Sequence, residues 1–210
     1  MLEYIHFAPV ASFIFALTIA ATLLAFNDDN LKAKWMLHPY SIHRKKHTFT
    51  LITSGLIHSD WMHLFFNMLS YYFFAFQLEG VIGHWQFGVL YISSLILSDL
   101  PSVAKHKNDY WYHSLGASGA VSAVIFSTII YAPLATIMIM PIPFPMYNII
   151  FGVLYLVYCH YASKHARDNV NHDAHFFGAL CGVFITIILH PNVLSQFIHQ
   201  LSGGVLSTVR

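Results

Sequence analysis

The residues best suited to chemistry in this 210-residue sequence are one serine, two histidines and one asparagine. Ser118 stands inside the small-residue segment Gly116–Gly119, and His175 stands near the start of a later apolar stretch. Hydrolysis by a serine needs a hydroxyl nucleophile, a base within about 3 Å and hydrogen-bond donors for the developing oxyanion. His63 and Asn67 are spaced i, i+4, so they share a helix face and are candidates for the donors. This set predicts hydrolysis with Ser118 as nucleophile and His175 as general base.

The candidate base has no carboxylate neighbour in the right position. Asp173 is close along the chain, but residues two apart on a helix do not face each other. We therefore predict a Ser-His dyad rather than a triad. Each residue alone also has an ordinary structural alternative, because a serine in a membrane helix commonly bonds to the carbonyl four residues earlier. Only the combination favours catalysis.

The composition predicts a membrane protein. Hydrophobic residues make up 57% of the chain and charged residues 9%, which is far below the roughly 25% that is typical of soluble proteins. The net charge of +1 excludes the concentrated basic field that nucleic-acid binding needs. The length and the lack of a linker predict a single domain over residues 1–210.

Six apolar runs are predicted to be transmembrane helices, since a bilayer core of about 30 Å needs roughly 20 apolar residues per helix. The fold class is therefore an all-α membrane protein with six transmembrane helices. Pro141, Pro143 and Pro145 break the chain between the fourth and fifth runs, because proline lacks an amide hydrogen. The predicted spans are approximately residues 7–26, 61–82, 85–103, 115–138, 147–161 and 175–189.

Counting crossings places the candidate residues at one depth. The second, fourth and sixth predicted helices run in the same direction, so their amino-terminal ends share one leaflet. His63 with Asn67, Ser118, and His175 lie near those three ends. Small residues permit close approach of the fourth and sixth helices. They are Gly116, Gly119, Ala120 and Ala123 on one, and Gly178, Ala179 and Gly182 on the other.

These residues match a known family in their order along the chain. Gly116–Gly119 resembles the GxSG motif of rhomboid intramembrane serine proteases, and Ala174–Gly178 resembles their AHxxG motif. His63–Asn67 resembles the family's HxxxN. Glu79 with Gly83 resembles a recurring ExxxG, and His58 falls where these proteins often carry a further histidine.

The resemblance implies a rhomboid-like bundle that cleaves single-pass or other transmembrane proteins in the lipid bilayer without a metal or cofactor. It implies Ser118 as nucleophile, His175 as base, and His63 and Asn67 as oxyanion donors beside the Ser118 amide. It also implies that residues 147–171 control access of substrate and water. One departure is Ser122, where the family commonly has an aromatic residue that stacks on the catalytic histidine.

The charge pattern and the resemblance give opposite orientations. Nine of the ten Lys and Arg residues lie in the first, third and fifth loops, and positive-inside counting places such loops in the cytoplasm. The resemblance instead implies a bacterial inner-membrane protein with its active site on the outer side. We favour the resemblance, since basic side chains in an interfacial loop can reach lipid headgroups.

Two other functions are open. A rhomboid-like protein that binds transmembrane clients without cleaving them is one, because a fold alone does not fix a function. The other is a histidine-rich membrane transporter or metal-handling protein, suggested by the 15 histidines. Retention of Ser118 and His175 argues against the client-binding protein. The lack of an HExxH motif and the spread of the histidines over both leaflets argue against the transporter.

Overall fold

The computed structural model describes residues 6–139, 142–168 and 170–207, so Pro141, Asn169 and Arg210 lie outside the described residues. The chain is mostly helical. Its helices in chain order are α1 (Pro9–Asn27), α2 (Asp29–Trp35), α3 (Pro39–His43), α4 (Thr50–Thr53), α5 (Trp61–Ile82), α6 (His84–Lys105), α7 (Ser118–Tyr131), α8 (Asn148–His165), α9 (His172–Leu189) and α10 (Val193–Ser207). A two-stranded antiparallel sheet, β1 (Thr136–Ile139) and β2 (Ile142–Tyr147), separates α7 from α8.

Among the described residues, three helices are long and apolar enough to cross a membrane. They are α1, α6 and α9, and α7 is a shorter apolar helix. Large apolar side chains such as Phe73, Phe184 and Ile188 are exposed on the outer faces, which suits a lipid environment. The chain is therefore an integral membrane protein by composition and by surface, and the count of six spans stays a prediction.

The fourth predicted helix, over residues 115–138, is wrong at both ends. The observed helix α7 covers only Ser118–Tyr131. Leu115, Gly116 and Ala117 lie in the preceding loop, and Pro133 follows the helix because proline disfavours helical geometry in the residue before it. Residues 136–139 pair with β2 instead, with Thr136 opposite Tyr147. The prediction of an all-α fold is therefore wrong for this small β-hairpin.

Three further differences concern elements that the apolar pattern did not reveal. The polar first loop folds into the short helices α2, α3 and α4, with Asp28 capping α2 through the amides of Asn30 and Leu31. Helix α9 begins at His172, three residues earlier than predicted. Helix α10 was not predicted, because its apolar residues alternate with polar ones.

Helix α7 lies at the centre of the bundle. It contacts α5, α6, α8, α9 and α10, and most of its residues are buried. Beside it, Tyr71, Phe87 and Tyr91 fill the core between α1, α5 and α6. The element that carries Ser118 at its first position is therefore the one most enclosed by protein.

Glu79 fastens the amino terminus of α1 to the far end of α5. Its carboxylate is fully buried and accepts hydrogen bonds from the amides of Val10 at 3.1 Å and Ala11 at 2.6 Å. His84 contacts the same carboxylate at 2.6 Å. A carboxylate suits a helix amino terminus, whose unpaired amides carry partial positive charge. Gly83, with φ of 94°, makes the left-handed turn between α5 and α6.

Parallel helices α7 and α9 approach each other at backbone distance. A side-chain carbon added at Gly178 would collide with the carbonyl oxygen of Gly119, and one added at Gly182 would collide with that of Ala123. Replacing Gly178 with alanine must push the two helices apart. We expect Gly178→Ala to lower the free energy of unfolding by about 1 to 3 kcal/mol, measured as a lower melting temperature in detergent.

Gly203→Ala is the matched control for this change. Gly203 is also helical, on α10, and an added carbon there meets nothing within 4 Å. The control should leave stability unchanged or raise it slightly, because alanine is a better helix former than glycine. Equal melting temperatures for the two variants would contradict the close approach of α7 and α9.

Candidate active site

Ser118 is the first residue of α7, directly after a sharp turn. Gly116 has φ of 120°, a conformation that favours glycine, and its amide donates to the carbonyl of Ser54 at 2.9 Å. The hydroxyl of Ser118 is thereby presented at a helix amino terminus, where free amides and the helix dipole favour negative charge. This is a suitable position for a nucleophile whose attack creates an oxyanion.

His58 anchors the backbone just before Ser118. It is fully buried, and its Nε2 accepts from the amide of Ala117 at 3.5 Å while its Nδ1 donates to the Thr22 hydroxyl at 3.0 Å. The Thr22 hydroxyl in turn donates to the carbonyl of Leu56. This pattern requires the neutral Nδ1–H form of the ring. Burial, and then the neighbouring His63, lower the pKa of His58 to about 3.

The register between α7 and α9 brings the two predicted catalytic residues to the same site. Three contacts between the helices join residues with the same offset along the chain, so the helices run parallel. Ser118 adjoins the first contact on α7, and His175 lies one turn before the partner residue on α9. The pairs are Gly119 with Gly178, Ala123 with Gly182, and Ser127 with Thr186, whose hydroxyls lie 2.7 Å apart.

The predicted dyad is not joined by a hydrogen bond in this structure. Within the described part of the chain, no hydrogen bond joins the Ser118 hydroxyl to the His175 imidazole. Both side chains are partly buried. Catalytic hydrogen bonds are commonly loose in the free state of an enzyme and tighten when substrate binds. The structure therefore gives proximity of the two segments rather than a formed dyad.

Asp173, which from its spacing was not expected to face His175, has a partner on another helix. Its carboxylate pairs with the ammonium of Lys105 at 2.6 Å. The ring beside His175 is instead that of His172, with ring centroids 6.0 Å apart in an edge-on arrangement. His172 Nε2 lies 3.2 Å from Asp168. The amide of Val170, followed by His172, lowers the pKa of Asp168, which keeps that carboxylate charged.

His63 and Asn67 occupy the first turns of α5, and His63 faces the loop before Ser118. A side-chain carbon at Gly116 would lie 2.6 Å from Cε1 and 2.7 Å from Nε2 of the His63 ring, so that ring packs directly on the glycine. The amide nitrogen of Asn67 donates to the His63 carbonyl at 3.0 Å. One of its two hydrogens stays available for another acceptor. His63 thus lies at the loop before Ser118, and the roles of His63 and Asn67 as oxyanion donors stay predictions.

A small polar cavity adjoins Ser118. Its volume is about 20 Å³, which is enough for one water molecule. Such a water would find several hydrogen-bonding partners. The polar residues that line the cavity are Ser54, Ser98, Asp99, Ser114, Ser118 and Asn171.

Ser122, the departure from the family pattern, bonds to a residue that sequence reasoning missed. Its hydroxyl lies 2.7 Å from that of Tyr155 on α8. This bond ties α8, within the predicted access segment 147–171, to the helix that carries Ser118. No periodicity in the sequence could reveal Tyr155, because its partner lies on another helix. The position of His172 beside His175 had a weak signal in the sequence, namely their i, i+3 spacing.

The 15 histidines do not assemble a metal site within the described ranges. No group of three His, Cys, Asp or Glu side chains there is arranged to hold a metal ion. The metal-handling hypothesis thus gains no support from these residues.

Comparison with known proteins shows which family the chain resembles. The model of the family described as "Rhomboid domain" matches residues 45–192. A relative from Bacillus subtilis (strain 168), named "Putative rhomboid protease YdcA", is 30% identical over 147 residues. The match covers 66% of this chain and 65% of the relative, so the chain spans slightly less than two thirds of that protein's length.

The buried His58 makes stability depend on pH. Its pKa is about 3 in the folded protein and about 6.5 when exposed, so the unfolded chain binds the proton first as pH falls. The contribution of neutral His58 to the free energy of unfolding is therefore fully present above pH 6.5 and is lost as the pH falls toward 3. We expect on the order of 2 kcal/mol to be lost between pH 8 and pH 5 through this group. His58→Gln should remove that part of the pH dependence of the melting temperature.

His43→Gln is the control for loss of one imidazole, since His43 is exposed in the first loop. It should retain the wild-type dependence on pH. An identical slope for wild type and His58→Gln would contradict a neutral, buried His58.

Proposed function

The chain belongs to the rhomboid family, and from this we propose that it is an intramembrane serine protease that hydrolyses peptide bonds in or near transmembrane segments of other proteins. The observation that supports this best is the backbone contact between Gly119 and Gly178. This contact lies next to the amino-terminal ends of α7 and α9, the segments that carry Ser118 and His175. We propose six spans for the chain, with the site near one face of the membrane.

In the proposed reaction, His175 takes the proton of the Ser118 hydroxyl as the oxygen attacks the scissile carbonyl. The resulting oxyanion accepts hydrogen bonds from the Ser118 amide and from the side chains of His63 and Asn67. His175 then gives its proton to the departing amine, which leaves an acyl ester on Ser118. Water, deprotonated by His175, attacks the ester and releases the second product.

A protein that binds clients without cleaving them is the second candidate. The absence of a Ser118–His175 hydrogen bond among the described residues is the observation that favours it. The polar lining of the Ser118 cavity favours the protease instead, because a hydrolase needs water at its nucleophile and a client-binding surface does not.

The orientation is proposed from the family resemblance: the active site lies on the outer side of a bacterial inner membrane. The basic loops argue for the opposite arrangement. A reporter enzyme fused after Arg210 distinguishes the two, because six spans put both termini on the side away from the active site.

The protease proposal predicts an activated serine, which can be measured without a known substrate. A fluorophosphonate applied to the protein in detergent should phosphonylate Ser118 and expel fluoride, with the adduct located by mass spectrometry. Ser118→Ala should abolish this adduct, and His175→Ala should slow its formation at least a hundredfold, as expected for loss of a general base. Ser195→Ala, which changes an exposed serine of α10, is the control.

A wild-type protein that gives no adduct on Ser118 in several detergents and lipids would overturn the protease proposal. The client-binding function would then take its place.

The Ser122–Tyr155 bond predicts that α8 controls access to the site. Tyr155→Phe keeps the ring against Phe126 and Phe151 but removes the hydroxyl. A lost hydrogen bond of about 1 kcal/mol corresponds to roughly a fivefold larger open population. We expect the labelling of Ser118 by a bulky fluorophosphonate to accelerate by about that factor.

Tyr158→Phe on the same helix is the control, since the Tyr158 ring rather than its hydroxyl contacts His172. Equal labelling rates for the two variants would show that the Ser122 bond does not hold α8 closed. A cross-link between α8 and α5 that leaves turnover intact would exclude the gate altogether.

A further inference from the structure

Ser59 and Asp60, which directly precede α5, form hydrogen bonds that lead from the His63 ring to the Asp60 carboxylate. The Ser59 hydroxyl lies 2.6 Å from Oδ2 of Asp60 and 3.0 Å from Nδ1 of His63. Asp60 also caps α5, because its Oδ1 accepts from the His63 amide at 2.9 Å. Asp60, Ser59 and the His63 ring thus form one continuous hydrogen-bonded chain, which the family motifs in the sequence do not include.

This hydrogen-bonded chain determines which of its atoms carry a hydrogen. A charged carboxylate has none to give, so at 2.6 Å the Ser59 hydroxyl must donate its single hydrogen to Asp60. The Ser59 oxygen is then left as an acceptor toward His63. Nδ1 of His63 must therefore carry a hydrogen and donate it to Ser59.

This assignment has a consequence at the other nitrogen of the ring. Nε2 faces the loop at Gly116, beside the proposed oxyanion position. A neutral imidazole has only one N–H, so with Nδ1 protonated Nε2 would be an acceptor and would repel an oxyanion. Nε2 can donate only when the ring is an imidazolium.

We propose that Ser59 and Asp60 are positioning residues that stabilise His63 as an imidazolium whose Nε2–H stabilises the oxyanion formed at Ser118. This inference rests on the proposed protease function. Asp60 supplies the countercharge, and Ser59 transmits it as a hydrogen bond, which also holds the ring in its orientation.

Burial of the His63 ring opposes its imidazolium form, and Asp60 is the neighbouring charge that favours it. The Ser59 hydroxyl, followed by the His63 amide, lowers the pKa of Asp60, so the carboxylate stays ionised at neutral pH. The His58 ring lies edge-on to His63 with centroids 4.9 Å apart, but it is neutral. His175 on α9 also interacts electrostatically with His63, and α7 contributes the backbone of Gly116. Of these neighbours, only Asp60 bears a negative charge.

Exposure sets the size of the effect. Ser59 and Asp60 are both exposed, so water weakens their direct Coulomb attraction to the ring. Water weakens the hydrogen bonds through Ser59 less than this Coulomb attraction, because the bonded atoms are in direct contact. Loss of either residue should therefore act mainly by destabilising the imidazolium at higher pH.

The test is the rate of fluorophosphonate labelling of Ser118 as a function of pH, since the phosphonyl oxygen needs the same donors. Asp60→Asn keeps a good helix cap and removes the charge, and Ser59→Ala removes the link. Each should move the alkaline decline of the rate to lower pH by up to about one unit. This is roughly a threefold to tenfold slower reaction on the alkaline side of the decline, with little change on its acid side. The double variant should be no slower than either single variant.

Two controls separate charge from structure. Asp28→Asn removes a carboxylate from another exposed helix cap in the first loop and should leave the profile unchanged. Ser59→Thr retains a hydroxyl and should restore the wild-type profile. All variants are measured in the same detergent, each at the same interval below its own melting temperature.

Different failures are distinguishable. An unchanged alkaline limb in Ser59→Ala or Asp60→Asn, with wild-type Ser118 still labelled, overturns the role of the chain and leaves the protease proposal intact. A uniform loss at every pH also overturns it, because that result indicates misplacement of α5 rather than loss of charge. No adduct on wild-type Ser118 overturns the protease proposal and this inference together.

Discussion

The candidate site depends on how closely the backbones of α7 and α9 approach each other. With glycine at 178 and 182 of α9, no side chain of that helix stands between it and the α7 backbone at Gly119 and Ala123. In a lipid environment, apolar side chains have no preference for protein over lipid, so association relies on such packing and on hydrogen bonds such as that between Ser127 and Thr186. The same contact that stabilises the bundle therefore sets the distance between Ser118 and His175.

Around this contact, buried polar groups hold the remaining parts in place. Glu79 binds the first amides of α1, and His58 binds the amide of Ala117. An unpaired polar group in an apolar interior costs several kcal/mol, so each of these bonds strongly favours one arrangement of the chain. His58 also illustrates how a histidine can serve geometry rather than proton transfer, because its two nitrogens are both occupied by the scaffold.

The sequence predicted the helices with long apolar runs well, because lipid demands a minimum apolar length. It also predicted the close approach at Gly178, since small residues at helical spacing have few other uses in a membrane helix. It failed where structure depends on contacts between distant segments. The helix over 115–138 was too long because apolar strand residues after Pro133 resemble helix residues. Tyr155 and the link from Asp60 to His63 were missed because each is defined by a partner rather than by spacing.

The shortness of α7 restricts which proteins could be cut. With 14 residues it is about 21 Å long, whereas the apolar layer of a bilayer is about 30 Å thick. Unless the layer thins locally, at least one end of this central helix lies below the headgroups, and its Ser118 end opens onto a polar cavity. A client segment that arrives as a helix has its carbonyls engaged in internal hydrogen bonds. Under the proposed function, cleavage at Ser118 would select segments that unwind at low cost, such as those with glycine or β-branched residues near the scissile bond.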